Sequence, residues 1–217
     1  SGPKKQRDAI VELRPRLYPD PRLAYRQDDI PAASHPPLAA CMARLAAQAS
    51  PDSDEPRQSV WDPFCGSGLE LIERSMLGGV RVVHGTDLDP AAIAIARANF
   101  DAADLENVSG IFTPCDFRDA EKAAGIAPGS ITLVITNPPL GRRIRVKDMR
   151  GLIADLFVAA DKALEPGGLL NFANPLRDAP TSPSHQVESP QSGALGGFDC
   201  QLEMYRKRVA RIDRKLG

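Results

Sequence analysis

The chain has 217 residues, of which 42% are hydrophobic and 25% charged, so it can fill one globular core but not two full domains. A formal net charge of −1 excludes a chain that is basic throughout, and four scattered cysteines with three histidines predict no metal site. No stretch is apolar enough to span a bilayer and the first residues do not form a secretory signal, so we expect a cytoplasmic protein without membrane contact.

The first 33 residues are predicted to form an N-terminal arm or short strands in front of the main domain. Prolines at 15, 19 and 21 interrupt the weak apolar repeats of this stretch, which disfavours a helix. The chain begins with Ser rather than Met, so we also expect that a natural N-terminal extension is missing.

Residues 34–217 are predicted to form one α/β domain. Pro36 and Pro37 suit the first turn of a helix, and apolar residues then recur on one helical stripe. Beyond this helix, short apolar segments alternate with helical ones, which indicates a mostly parallel sheet with helices on both faces. The predicted strands are 59–62, 80–86, 109–115, 131–136 and 169–173.

The C-terminal part is predicted to contain a mobile loop and one further strand. Residues 178–197 are rich in proline, serine and glycine and poor in apolar residues, which is typical of a mobile loop. From Phe198 to Met204 apolar and polar residues alternate, which predicts a half-buried strand. We expect it to pair antiparallel with the sheet.

A glycine-containing turn, Asp-Pro-Phe-Cys-Gly-Ser-Gly over 62–68, follows the first predicted strand, and Asp87 follows the second. Ligands of open α/β sheets bind at the carboxyl ends of the strands, where glycine lets them approach the backbone. A carboxylate at Asp87 can accept hydrogen bonds from both hydroxyls of a ribose. The turn lacks the spacing of a phosphate-binding loop, so it favours a nucleoside without phosphates.

The sequence Asn137-Pro138-Pro139-Leu140 follows the fourth predicted strand. Prolines donate no backbone hydrogen bond, so their carbonyl groups remain as acceptors. The Asn137 side-chain oxygen and the Pro138 carbonyl can together hold both hydrogens of a planar amino group, with its nitrogen turned toward an electrophile. This pattern predicts a site where an amine is positioned for reaction.

A basic run lies directly behind this motif. Its members are predicted to contact the phosphates of a nucleic acid, because they lie beside the predicted amine site. They are Arg142, Arg143, Arg145 and Lys147.

Together, the segments DPFCGSG, GTDLDP and TNPPLGRR resemble the class I S-adenosylmethionine-dependent amino-methyltransferases. Within that class, they are most similar to the catalytic domain of THUMP-associated RNA guanine-N2 methyltransferases. The resemblance covers residues 34–177 and the last strand. It implies a Rossmann-like fold, S-adenosylmethionine as cofactor with S-adenosylhomocysteine as product, and RNA as partner.

The resemblance also implies a role for each residue of the two motifs. The turn 62–68 would cradle the methionine portion of the cofactor, Asp87 would bind its ribose, and Leu88 would lie against its adenine. Asp116 would contact the adenine amine, and Asn137 with Pro138 would hold the target amine. Leu140 departs from the family, in which an aromatic residue commonly stacks on the target base. The full predicted cofactor set is Asp62, Pro63, Phe64, Cys65, Gly66, Gly68, Asp87, Leu88, Asp116, Phe117 and Asn137, and the predicted catalytic set is Asn137, Pro138, Pro139 and Leu140.

The leading interpretation is methylation of guanine N2 in tRNA or rRNA. Adenine N6 and a protein glutamine carry amines that suit the same acceptors, so both remain alternatives. A third alternative is a catalytically inert methyltransferase fold that serves as an RNA-binding module. Since the family it resembles usually carries a THUMP domain before the catalytic core, we expect a THUMP-like RNA-binding domain to be the missing extension.

Overall fold

The computed structural model describes residues 23–30, 33–50, 58–139, 146–176, 184–195 and 198–209. Five α-helices lie within these ranges: α1 (Pro36–Ala49), α2 (Leu69–Ser75), α3 (Pro90–Ala102), α4 (Ala120–Ala124) and α5 (Met149–Ala163). Seven strands accompany them: β1 (Gln58–Asp62), β2 (Val80–Asp87), β3 (Ser109–Pro114), β4 (Ile131–Thr136), β5 (Leu164–Asn174), β6 (His185–Leu195) and β7 (Phe198–Lys207). None of the helices in these ranges is long and apolar enough to cross a bilayer.

The strands form one sheet in the order β3-β2-β1-β4-β5-β7-β6. Strands β1 to β5 pair in parallel, and β7 runs antiparallel to its neighbours β5 and β6. The predicted mostly parallel sheet with an antiparallel C-terminal strand is therefore confirmed. Because the first five strands share one direction, the carboxyl ends of β1, β2 and β4 meet at one edge, where both predicted motifs begin.

Helices cover both faces of the sheet. Helices α1, α2 and α3 pack on one face and α4 and α5 on the other, so two apolar clusters form. The side chains alternate between them along each strand: Val60 of β1 lies in the first cluster and Trp61 in the second, as do Leu133 and Val134 of β4. Because both faces of β4 are buried, its apolar residues Leu133, Val134 and Ile135 follow one another without alternating with polar ones.

Strand β5 begins earlier than its sequence predicts and contains a bulge. Ile131 of β4 pairs with Leu164, whereas Leu133 pairs with Leu169. An advance of two residues along β4 therefore corresponds to an advance of five residues along β5. Residues 165–168, just before the predicted strand 169–173, form the extra segment, and Gly167 supplies the positive φ of +86° that it needs.

Strand β6 contradicts the predicted mobile loop over 178–197. Residues from His185 to Leu195 pair antiparallel with β7 along its length. The prediction failed because this edge strand lacks an apolar repeat and contains Pro190, which an edge strand tolerates because its free side needs no donor. The remaining positions of the predicted loop, 178–183 and 196–197, lie outside the described residues.

The stretch just before α1 was predicted as part of a separate arm, but its described portion packs on the domain. Tyr25 is buried in the first apolar cluster, and its hydroxyl donates to Glu73 of α2 at 2.8 Å. The side-chain oxygen of Asn99 in α3 accepts from the backbone amides of Gln27 and Asp28. Residues 1–22 lie outside the described residues.

Candidate functional site

The glycine turn runs from the end of β1 to the start of α2. Its conformation depends on Gly68, which has a φ of +84° and whose missing Cβ would lie 3.3 Å from the Cβ of Ala96. The Cys65 amide donates to the Thr86 carbonyl of β2 at 2.9 Å, which fixes the turn to the neighbouring strand. Gly66 has a φ of +50°, which is likewise a backbone conformation that residues with a Cβ rarely adopt.

Asp87 orients the same turn from the end of β2. One carboxylate oxygen accepts from the Gly66 amide at 3.0 Å, and the other accepts from the Asp89 amide at 3.0 Å. Two backbone bonds fix the carboxylate in one orientation, and each oxygen keeps a lone pair for a further donor. The half-buried Asp87 is thus a preset acceptor beside the glycine turn.

Asp62, the last residue of β1, is fully buried. Its Oδ1 accepts from the Thr136 hydroxyl at 2.5 Å and from the Phe64 amide at 3.0 Å, whereas Oδ2 has no hydrogen-bond partner among the described residues. Burial, and then the nearby carboxylate of Glu70, raise the pKa of Asp62 well above its usual range. A buried carboxyl with one free oxygen beside a second buried carboxyl suits a positively charged ligand group.

Asp116 and Phe117 lie after β3. The Asp116 carboxylate forms an ion pair of 3.0 Å with Arg118, which also bonds to Asp155 at 2.8 Å. Arg118 lies over the Phe117 ring, 4.7 Å from its centroid. Leu88, after β2, is 71% exposed and presents an apolar surface. Of the two residues predicted to contact adenine, Leu88 is thus exposed, whereas the Asp116 carboxylate already has a cationic partner in Arg118.

Asn137 extends from the end of β4, next to β1. Its Nδ2 donates to the Ser34 hydroxyl at 2.9 Å. Its Oδ1 is buried and has no hydrogen-bond partner within the described ranges. Pro138 is buried and Pro139 half-buried, so the motif is held firmly at this edge. A buried, unpaired acceptor is costly, so it indicates a ligand with an N–H or O–H group.

The remaining predicted residues are only partly described. Lys147 is exposed just before α5. Leu140, Arg142, Arg143 and Arg145 lie outside the described residues. Cys65 is buried, and burial raises the pKa of its thiol, so it contributes packing rather than a nucleophilic thiolate. No group of three or more metal-ligating side chains occurs in the part of the chain that the structure describes.

Sequence reasoning missed three residues that support this site: Ser34, Glu70 and Thr136. Ser34 lies just before the predicted helix that begins at Pro36, and Thr136 lies within the predicted strand 131–136. Glu70 did leave a signal, because it places a carboxylate inside the apolar run of α2, where it is only 3% exposed. The Ser34 hydroxyl bonds to this carboxylate.

The comparison with known families decides what kind of domain this is. The model of the RMKL-like methyltransferase domain matches residues 23–182. The chain belongs to this family. The match begins before α1, in agreement with the packing of Tyr25 in the domain core.

Three known proteins show how far the similarity of this RMKL-like methyltransferase domain extends. The tRNA (guanine(10)-N2)-dimethyltransferase of Methanothermobacter thermautotrophicus is 29% identical over 67% of this chain and 39% of its own length. The crystal structure of TrmN from Thermus thermophilus is 26% identical with a TM-score of 0.61, over 79% of this chain and 48% of that one. An RNA methyltransferase from Salinibacter ruber in complex with S-adenosyl-L-homocysteine shares the fold, with a TM-score of 0.56 at 16% identity, over 83% of this chain and 97% of that one.

These matches confirm the class I Rossmann-like fold and an S-adenosylmethionine-dependent methyltransferase domain. The chain spans less than half the length of the first two proteins, 39% and 48% respectively. The expected THUMP-like domain stays a prediction.

Proposed function

We propose that this domain transfers a methyl group from S-adenosylmethionine to an exocyclic amine of a base in RNA, with guanine N2 of a tRNA or rRNA as the target. The observation that carries the proposal is the buried, unpaired Oδ1 of Asn137. It lies on the residue after Thr136, whose hydroxyl bonds to Asp62 at the glycine turn. An acceptor for an amine is thereby tied directly to the turn that suits a nucleoside.

The residues present fit the cofactor. Asp62 would hold the ammonium of the methionine portion through its free Oδ2, and the positive φ of Gly66 and Gly68 gives the turn the conformation that would curve around that portion. Asp87 would accept from the ribose hydroxyls, and Leu88 would cover one face of the adenine. When bound, S-adenosylmethionine supplies an electrophilic methyl group on a sulfonium.

The acceptor side needs positioning rather than a strong base. Asn137 Oδ1 and the Pro138 carbonyl would each accept one hydrogen of the target amino group, so that its nitrogen faces the methyl group. The Pro138 carbonyl lies on a stiff Pro-Pro segment at a strand end, which limits its movement. The amine proton becomes acidic as the new bond forms and can leave to water afterwards.

Two observations favour RNA as the substrate. Two of the proteins compared above are named as a tRNA (guanine(10)-N2)-dimethyltransferase and an RNA methyltransferase. The exposed Lys147 belongs to the basic run with Arg142, Arg143 and Arg145, which would contact phosphates next to the target amine. The base must leave its stack to reach Asn137.

The test is the modified-nucleoside content of RNA from cells that lack the gene. We expect N2-methylguanosine to fall in one RNA species and to return with the wild-type gene but not with an Asn137→Ala variant. Loss of N6-methyladenosine instead would identify adenine rather than guanine as the target base. Loss of a methylated glutamine would identify protein rather than RNA as the substrate. Unchanged RNA and protein methylation would support the inert RNA-binding alternative.

A further inference from the structure

Ser34 connects the buried carboxylate of Glu70 to the Asn137 side chain. Its hydroxyl bonds to Glu70 on one side and accepts from Asn137 Nδ2 at 2.9 Å on the other. We propose that Ser34, held by Glu70, is a positioning residue that turns the Asn137 amide so that its oxygen faces the target amine. This inference rests on the proposed function, because it assumes that Asn137 holds that amine.

The direction of the hydrogen bonds follows from the number of protons available. The single hydroxyl proton of Ser34 is donated to Oε1 of Glu70. The Ser34 oxygen can then only accept, which selects the NH₂ end of the Asn137 amide. The amide oxygen is left on the opposite side, where it is buried without a partner among the described residues.

Glu70 and Asn137, the two residues that Ser34 connects, differ in how tightly their side chains are held. Glu70 is 3% exposed within α2, and α2 packs against α1, which begins two residues after Ser34. Asn137 is half-buried at the end of a strand, where its side-chain amide can turn over. A fixed carboxylate thus orients a movable amide through one hydroxyl.

The orientation of this amide decides which chemical group the site accepts. With Oδ1 outward, Asn137 binds an N–H group such as the amine of guanine or adenine. With Nδ2 outward, it would bind a carbonyl oxygen and repel an amine. Ser34 therefore favours an amine over a carbonyl group in the same place.

The experiment compares Ser34→Ala with Ser34→Thr, which keeps the hydroxyl, and with Ser50→Ala as a matched control. Ser50 lies just beyond the other end of α1 and also makes two side-chain hydrogen bonds, to Ala46 and Gln58. The assay measures methyl transfer to RNA from cells that lack the gene. We expect Ser34→Ala to lower kcat roughly tenfold, with little change in the affinity for S-adenosylhomocysteine. Ser34→Thr should restore most of the rate, and Ser50→Ala should leave it unchanged.

An Asn137→Ala variant separates the two proposals. If Asn137→Ala is inactive while Ser34→Ala turns over like the wild type, Ser34 does not position the amide and this inference is wrong. If Asn137→Ala keeps full activity, the proposed function itself is wrong. Equal loss in Ser34→Thr and Ser34→Ala would overturn the role of the hydroxyl.

A measurement on the wild-type protein covers the case in which the variants do not fold. Nuclear magnetic resonance of the Asn137 side-chain NH₂ group, assigned through its nuclear Overhauser contacts to the backbone of the same residue, should show one proton that exchanges slowly with solvent. Rapid exchange of both protons in the folded protein would exclude the hydrogen bond to Ser34 and with it the proposal.

Discussion

Thr136 donates a hydrogen bond of 2.5 Å to Asp62, and the two residues end the adjacent parallel strands β4 and β1. Asp62 is the first residue of the glycine turn, and Thr136 directly precedes Asn137, the first residue of the second motif. The bond therefore sets the distance between the turn that would hold the cofactor and the residue that would hold the acceptor.

A Thr136→Val substitution should weaken cofactor binding more than it weakens the fold. It removes one of the two donors to Asp62 Oδ1 and leaves that buried oxygen partly unsatisfied, at a cost of about 1 to 3 kcal/mol. Thr132→Val is the matched control, because Thr132 bonds to Ser59 across the same pair of strands at the opposite edge. Calorimetry with S-adenosylhomocysteine should show a loss only for Thr136→Val, and equal affinities would separate this bond from the site.

Asp62 should make cofactor affinity depend on pH. Because burial raises its pKa in the folded protein, the stability that a protonated Asp62 contributes is fully present below the unfolded value of about 3.9 and is lost as pH rises through the raised pKa. The ammonium of the cofactor prefers the ionised form, so affinity should rise over the same interval. Asp62→Asn should abolish this rise, weaken binding by about 1.5 to 3 kcal/mol and raise the melting temperature of the ligand-free protein. A wild-type affinity independent of pH would contradict this assignment.

Replacing Asp87 by Asn should weaken binding of S-adenosylhomocysteine roughly 10- to 100-fold. The asparagine side chain has only one acceptor oxygen, so it loses the hydrogen bond either from a backbone amide or from a ribose hydroxyl. The control is Asp89→Ala, which removes the N-cap of α3, an acceptor for the Ala91 amide at 2.9 Å. That variant should lose about 1 kcal/mol of stability but keep its affinity. If both variants bind equally well, Asp87 is only a structural residue of the turn.

His185 should make the domain less stable in mild acid. It is 5% exposed in β6, packs against Phe157, and burial lowers its pKa; Lys207 lowers it further while Asp161 opposes the shift. Its contribution to stability is thus fully present above the unfolded pKa of about 6.5 and is lost as pH falls toward the lowered pKa. His185→Phe should flatten the dependence of melting temperature on pH in this range. An unchanged slope would assign the acid sensitivity to other groups.

The positions of Asp62, Asp87 and Asn137 at the carboxyl ends of strands could be predicted from the sequence, whereas their roles as site residues stay predictions. Asp62 and Asp87 end β1 and β2, and Asn137 directly follows β4. Parallel strands bring these carboxyl ends to one edge of the sheet. The start of α3 is also encoded locally, because Asp89 is its N-cap and Pro90 lies in its first turn.

What could not be predicted depends on contacts between distant parts of the chain. Ser34, Glu70 and Asn137 are brought together only by the packing of α1 on α2 and by the adjacency of β1 and β4. Strand β6 has no periodic signal of its own, because β7 supplies the partner that makes it a strand. Pairing with an existing edge is not visible in local composition.

Asn99 makes the region ahead of α1 and the glycine turn a single thermodynamic unit. Its buried amide group bonds to the amides of Gln27 and Asp28, to the Asp28 carbonyl at 3.1 Å and to the Ser67 carbonyl at 3.0 Å. A ligand that orders Ser67 must therefore also suppress local opening around Gln27 and Asp28, a few residues before Ser34. By reciprocity, loading the donor and arranging the acceptor pocket then reinforce each other, so the two substrates should bind cooperatively rather than independently.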